Sequence, residues 1–310
     1  MTATTWPAWL ALTFILQAPP TPQPAPPAPP PSYVPQRVYD TGRQHFSDFE
    51  TMLADLAKAD VVFVGEQHDD PNTHRLEAAI LDGLRRRGVA VILSLEMFER
   101  DVQPTLSAYL EGKTSEDEFL KTSRPWPRYA TDYRALVETA KAERWPVIAS
   151  NVPRKYASEV AKTGRGALDA LPSPERALAA QDLDCPKDAY FNRFADNMAK
   201  HPMPGAETLS EDERRAQTER YYFSQCLKDE TMAEAIARGL GDRGRGTVVH
   251  FTGSFHSDFG QGTAERARRR LEGRRIAVVS ILPIAAKEID AVAPSADDLR
   301  RGDYLLYATK

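Results

Sequence analysis

The sequence is poor in sulfur. It has two cysteines, Cys185 and Cys226, with no Cys-x-x-Cys pair and no Cys/His cluster. A structural zinc site built on thiolates is therefore excluded. Both cysteines fall in one helical stretch, and two states stay open for them. They form a disulfide in an exported protein, or they are two free buried thiols. Cys185-Pro186 is a dipeptide also found in thiolate haem sites, but it is too short a signal to assign a ligand. Charge of one sign is lacking too: the net charge is -4, so no general pull toward nucleic acid or anionic membrane follows. The runs Arg85 to Arg87 and Arg268 to Arg270 read as solvated helix ends, where cations suit the dipole. There is no internal repeat.

The apolar segment Trp6 to Ala18 is short for a bilayer span but long enough for a signal-peptide core. No Lys or Arg precedes it, and no cysteine follows it before Cys185, so a lipid attachment site is missing. Residues 1–18 are read as a signal peptide or an uncleaved anchor, and the protein as exported, periplasmic or envelope-associated. Any membrane association would run through this N-terminus. Residues 19–35 are dense in proline and predict an extended, solvated spacer. Residues 36–310 are long enough for one large α/β domain, and 42% apolar with 27% charged residues is ordinary for a globular chain.

Within that domain, short apolar runs bounded by polar residues and glycine predict buried parallel strands at 61–64, 89–95, 146–149, 247–252 and 276–281. A final edge strand is expected at 304–307. Pro71 to Arg87 has Pro at its first turn and Leu76, Ala79, Ile80 and Leu84 on one face, which predicts a helix. Helical periodicity recurs at 101–120, 129–144, 154–163, 188–200, 211–240 and 263–271. Strands alternating with helices imply a mainly parallel sheet with helices on both faces. A helical insert, about 154–243, would form a lid or small subdomain.

Ligands of such sheets bind beyond the carboxyl ends of the strands. There the sequence places Glu66 and His68, then Glu96, then Ser150, Asn151 and Arg154, then Gly253 and His256. Glu66 and His68 are two apart on extended chain and point the same way. Two carboxylates and two imidazoles can hold a divalent metal with an open position, or work as an acid/base set without one. Each residue alone has an ordinary structural explanation; four delivered by separate strands argue for a site. His250 lies inside a strand and reads as a core histidine. His74 can face either the site or water. Tyr221, Tyr222 and Phe223 read as helix packing, and Asp229 to Ala233 as helix surface followed by core.

Several segments resemble the ChaN-like haem-binding family, related to the wider Tiki and erythromycin-esterase superfamily. They are Val62 to His68, Leu95 to Phe98, Ser150 to Pro153, Gln225 to Ala233 and His250 to His256, in that order. The resemblance implies a parallel α/β core with a helical subdomain, export, and haem binding in iron acquisition. In the superfamily's hydrolases and metal-dependent proteases, matching positions here are Glu66, His68, Glu96 and His256, so a metal-dependent hydrolase is the alternative. For haem, Asn151, Arg154, Tyr156, Tyr222 and His250 are the candidate contacts, Tyr156, Tyr222 and His250 as axial donors. A homodimer around haem stays open. The missing lipidation cysteine departs from the family's lipoprotein pattern.

Overall fold

The computed structural model describes residues 33–201, 208–243 and 246–310, without the side chains of 242 and 243. The segment 1–18 and nearly all of the proline-rich segment lie outside these. Val34 to Lys310 is one compact unit. Its elements are β1 (Gln36–Asp40), β2 (His45–Ser47), α1 (Phe49–Leu56), β3 (Val61–Glu66), α2 (Pro71–Arg86), β4 (Val91–Glu99), α3 (Gln103–Leu110), α4 (Glu116–Ser123), α5 (Tyr129–Asp132), α6 (Arg134–Glu143), β5 (Val147–Asn151), α7 (Arg154–Thr163), α8 (Ser173–Arg176), α9 (Ala189–Lys200), α10 (Glu211–Arg243), β6 (Thr247–Gly253), α11 (Gly262–Arg270), β7 (Ile276–Ile284) and β8 (Tyr304–Thr309). Among the described residues, no helix is long and apolar enough to cross a membrane.

The strands form one eight-stranded sheet in the order β2-β1-β8-β7-β3-β6-β4-β5. From β8 to β5 all pairs are parallel, and β1 joins β8 and β2 antiparallel. Every residue of β3 is buried, as a strand covered on both faces requires. Alternate side chains of that strand go to opposite layers. Val62 and Val64 pack with Leu53, Ile80 and Leu136 of the helices on one face. Val61 and Phe63 pack with Ile236 of α10 and Ala264 of α11 on the other. α2 starts where the sequence places it, since Asp70 caps the amide of Asn72 and the hydroxyl of Thr73 with Pro71 at the first helical position.

The expected strand at 304–307 is not at an edge. β8 lies between β1 and β7, because the residues at 36–47 add a hairpin outside it. The helix expected over 129–144 is interrupted at Tyr133, between α5 and α6. In the helical insert, α7 packs on α10 around Tyr156, Val160 and Leu227. The second half of α10 continues as a covering helix of the sheet, with Ala233, Ile236 and Leu240 in its core.

Cys185 and Cys226 form a disulfide, which settles the alternative left open by the sequence. It ties the segment before α9 to α10 across a sequence separation of 41 residues. Closing a loop of that size is worth about 4 kcal/mol in a chain-entropy estimate. Cys226→Ser with Cys185→Ser is expected to lower stability by about 2–4 kcal/mol in urea unfolding. An unchanged midpoint would show that the bridge constrains nothing.

Candidate functional site

The carboxyl ends of β3, β4, β5 and β6 form the rim of the sheet. β3 and β6 are in register there, with Glu66 opposite Gly253. The β4–β5 pairing shifts register between Leu95 and Glu99, an irregularity of the kind found where side chains are re-aimed beside sites. Glu66, Glu96 and His256 are buried, at 1%, 4% and 5% exposure. The His68 side chain is 47% exposed and meets solvent at the rim.

Two carboxylate–imidazole pairs face each other across this rim. In the first, the Glu66 carboxylate accepts from Nδ1 of His68 and, at 2.9 Å, from the Tyr133 hydroxyl. The His68 ring lies edge-on to Trp126, 4.9 Å between centroids. In the second, His256 Nδ1 donates to Asp229 Oδ1 at 2.6 Å, and its Nε2 lies 3.4 Å from Glu96 Oε1. The other Glu96 oxygen accepts from the Thr252 hydroxyl at 2.6 Å and from the Gly253 amide at 2.9 Å. Gly253 lies against members of both pairs. A Cβ there would stand 2.8 Å from His68 Nε2 and 3.8 Å from Glu96 Oε2, so only glycine leaves room for the imidazole.

The electrostatics follow from burial and pairing. Burial pushes the Glu66 carboxyl up, but the hydrogen bonds from His68 and His74 outweigh it and hold it at about 2. Burial pulls the His256 imidazole down, but Glu96 and Asp229 on either side raise it to about 10. Glu96 and Asp229 are held below the usual carboxylate range; burial opposes this and His256 outweighs it. At neutral pH His256 is thus an imidazolium between two buried carboxylates. A metal held by Glu66, His68, Glu96 and His256 would have to displace that proton. His250 is fully buried in β6 with Nδ1 on the Ser94 hydroxyl at 2.9 Å, and burial pushes it down to about 4.

The other sequence-derived candidates have separate surroundings. Asn151 donates to the Glu96 carbonyl at 3.1 Å and braces the end of β4. Arg154 is exposed at the start of α7. The Tyr156 hydroxyl donates to Glu175, with its ring in the core of the insert. The Tyr222 hydroxyl donates to the Pro186 carbonyl at 2.7 Å. All three candidate axial donors, Tyr156, Tyr222 and His250, are buried.

Three functional neighbours were missed or left undecided by sequence reasoning. Asp229 is no surface residue: it is fully buried and also accepts from the Tyr190 and Thr263 hydroxyls, each at 2.8 Å. Cys226, Asp229, Glu230 and Ala233 share a buried helix face at helical spacing, which is the signal that could have shown it. Tyr133 falls within the helical periodicity of 129–144, and its hydroxyl donates to Glu66. His74 faces the inside, 2.9 Å from Glu77 and 3.4 Å from Glu66 Oε2. Beside His256, half-buried Phe194 and Phe255 form an aromatic wall. Arg193 stacks on Phe255 at 4.2 Å and donates to the Phe255 carbonyl.

This arrangement can be set beside known proteins. A family model described as haem-binding uptake, Tiki superfamily, ChaN matches residues 52–267. The chain belongs to this family. The ChaN-family match spans β3 to β6 and so contains every rim residue described above. Among solved structures, the fold is similar to one titled cofacial heme binding to ChaN of Campylobacter jejuni. That likeness has a TM-score of 0.67 and 18% identity, and covers 89% of this chain and 97% of that one. A succinoglycan biosynthesis protein matches with a TM-score of 0.50 and 10% identity, over 84% of this chain and 90% of that one. A protein from Bacillus cereus matches with the same TM-score, identity and coverage. At these identities the structural likenesses establish the fold alone. No match was found among curated proteins.

Proposed function

We propose that this protein binds haem at the open rim, with His68 as the axial donor. The family match over 52–267 is the observation that carries this reading. The Campylobacter jejuni ChaN structure, whose title states cofacial haem binding, supports it. The donor chemistry fits. Of the rim histidines, His68 is the exposed one, and its Nδ1 hydrogen bond to Glu66 fixes the tautomer and makes Nε2 the basic nitrogen. Trp126, Phe194 and Phe255 offer apolar contact, and Arg193 offers charge for carboxylates. A role in iron acquisition by an exported protein extends this reading. The Cys185–Cys226 disulfide supports export, since such bridges persist in oxidising compartments.

A haem titration of the full chain, followed at the Soret band, tests the proposal. A saturable, stoichiometric band is expected, and His68→Ala should weaken binding by about tenfold or more. No saturable band in the wild type would overturn the haem reading, and an unchanged affinity in His68→Ala would overturn the ligand assignment. A second reading, hydrolysis, is favoured by the two carboxylate–imidazole pairs converging on Gly253. Turnover of an activated ester, lost in His68→Ala and accompanied by no haem band, would select it.

A further inference from the structure

We propose that Glu66, His74 and Glu77 hold a divalent first-row transition-metal ion behind the rim. The three side chains are buried, at 1%, 3% and 0% exposure, and one ligand atom from each lies within 4.8 Å of the others. His74 and Glu77 are three residues apart on α2 and so share a helix face, the spacing used by inward-projecting His/Glu metal motifs in helix bundles. Glu66 meets them from the end of β3.

Two observations point to a missing ligand. Glu77 Oε1 is a buried carboxylate oxygen without a close hydrogen-bond donor, and Glu66 Oε2 has only the long 3.4 Å approach of His74 Nδ1. Buried carboxylate oxygens are ordinarily satisfied, and burial beside Glu66 pushes Glu77 up, so the pair calls either for a shared proton or for a cation between the two carboxylates. His74 Nε2 lies 3.2 Å from the His68 carbonyl and 3.4 Å from Asp132 Oδ2. Without an ion, Nδ1 faces Glu77 and Glu66; burial pulls the imidazole down, but these carboxylates raise it to about 10. An ion would displace that proton while Nε2 keeps donating to the outer carbonyl and carboxylate, as in a metal-bound imidazole. Nδ1 is 2.9 Å from Glu77 Oε2 and 3.4 Å from Glu66 Oε2. A small ion with bonds of about 2.0–2.2 Å needs ligand atoms spaced about this way.

Charge and donor type narrow the ion. Two carboxylates and one neutral imidazole cancel a double positive charge in a site that burial makes intolerant of net charge. One nitrogen and no thiolate favour Zn²⁺, Mn²⁺, Fe²⁺ or Co²⁺ over the all-oxygen sites of Mg²⁺ and Ca²⁺. The set shares only Glu66 with the rim group Glu66, His68, Glu96 and His256. Because the other Glu66 oxygen holds His68 and Tyr133, an ion on Oε2 would fix the carboxylate that orients the exposed rim imidazole.

The test uses the full chain, stripped with chelator, incubated with Zn²⁺, desalted and assayed by elemental mass spectrometry. One tightly held ion per chain is expected. Glu77→Gln should weaken its binding by about 100-fold, with circular dichroism unchanged, while His256→Gln keeps it. Because Glu77→Gln could misfold, Cu²⁺-loaded wild type is read in parallel by pulsed electron paramagnetic resonance. A single coordinated imidazole that persists in His68→Ala supports the triad; two imidazoles, or a signal lost in His68→Ala, place the ion at the rim and overturn it. No retained ion in the wild type, or an ion lost from His256→Gln and kept by Glu77→Gln, also overturns the proposal.

Discussion

Asp229→Ala is expected to destabilise the protein by about 3–5 kcal/mol, the cost of leaving a buried ion without its partner. Asp229 is fully buried and accepts three hydrogen bonds, from His256 Nδ1, the Tyr190 hydroxyl and the Thr263 hydroxyl. Truncation removes the closest counter-charge of the His256 imidazolium and leaves two hydroxyls without their acceptor. The residual partner, Glu96, sits 3.4 Å away and is already shared with Thr252 and Gly253. The loss should appear as a melting temperature lower by about 10 °C. Asp229→Asn keeps the shape and an acceptor oxygen and should cost less than the alanine. A change below about 1 kcal/mol in Asp229→Ala would show that the cluster carries no net buried charge.

The second large effect is on the alkaline side of the stability profile. His256 is raised from 6.5 to about 10 in the folded protein. The groups facing it are Glu96 from β4, Asp229 and the Gln225 amide from α10, and the more distant His68. Between these two pH values the folded state keeps a proton that the unfolded chain has released. The contribution is fully present below pH 6.5 and is lost as pH rises toward 10. A separation of that size corresponds to on the order of 5 kcal/mol. Denaturant unfolding of wild type from pH 6.5 to 10 should therefore show falling stability, with a flatter slope in His256→Gln. Equal slopes in the two proteins would mean that His256 is neutral in the folded state.

The sequence revealed the parts of this fold whose physics is local. β3, β4 and β6 are buried on both faces, so their strands appear as mostly apolar runs between polar stops, broken inside by Ser94 and His250. The rim residues Glu66, His68, Glu96 and His256 were legible because parallel topology dictates where strand ends go. The hairpin of β1 and β2 was not. Its strands are five and three residues long with polar side chains among them, and its place depends on pairing with residues over 260 positions away. That same pairing turned an expected edge strand into an interior one. Asp229 and Glu230 were hidden for another reason. Adjacent acidic residues in a helix are usually solvated, and only the tertiary position of His256, Arg266 and Arg270 makes their burial tolerable. His74 was ambiguous because nothing in α2 says how its N-terminal turn is rotated against the end of β3.

The interior position of β8 has a consequence for the order in which the chain can assemble. β1 reaches the rest of the sheet only through β8, whose residues, Tyr304–Thr309, come last in the sequence. As the polypeptide emerges from the ribosome, the first hairpin has no partner until the final strand is made. β7 meanwhile presents an unpaired edge, the kind of surface that recruits other chains. Closing a loop of that length is slow, because its entropy is lost before any contact repays it. The parallel core from β7 to β5 can condense first, and β8 then docks like a keystone that brings the N-terminal hairpin with it.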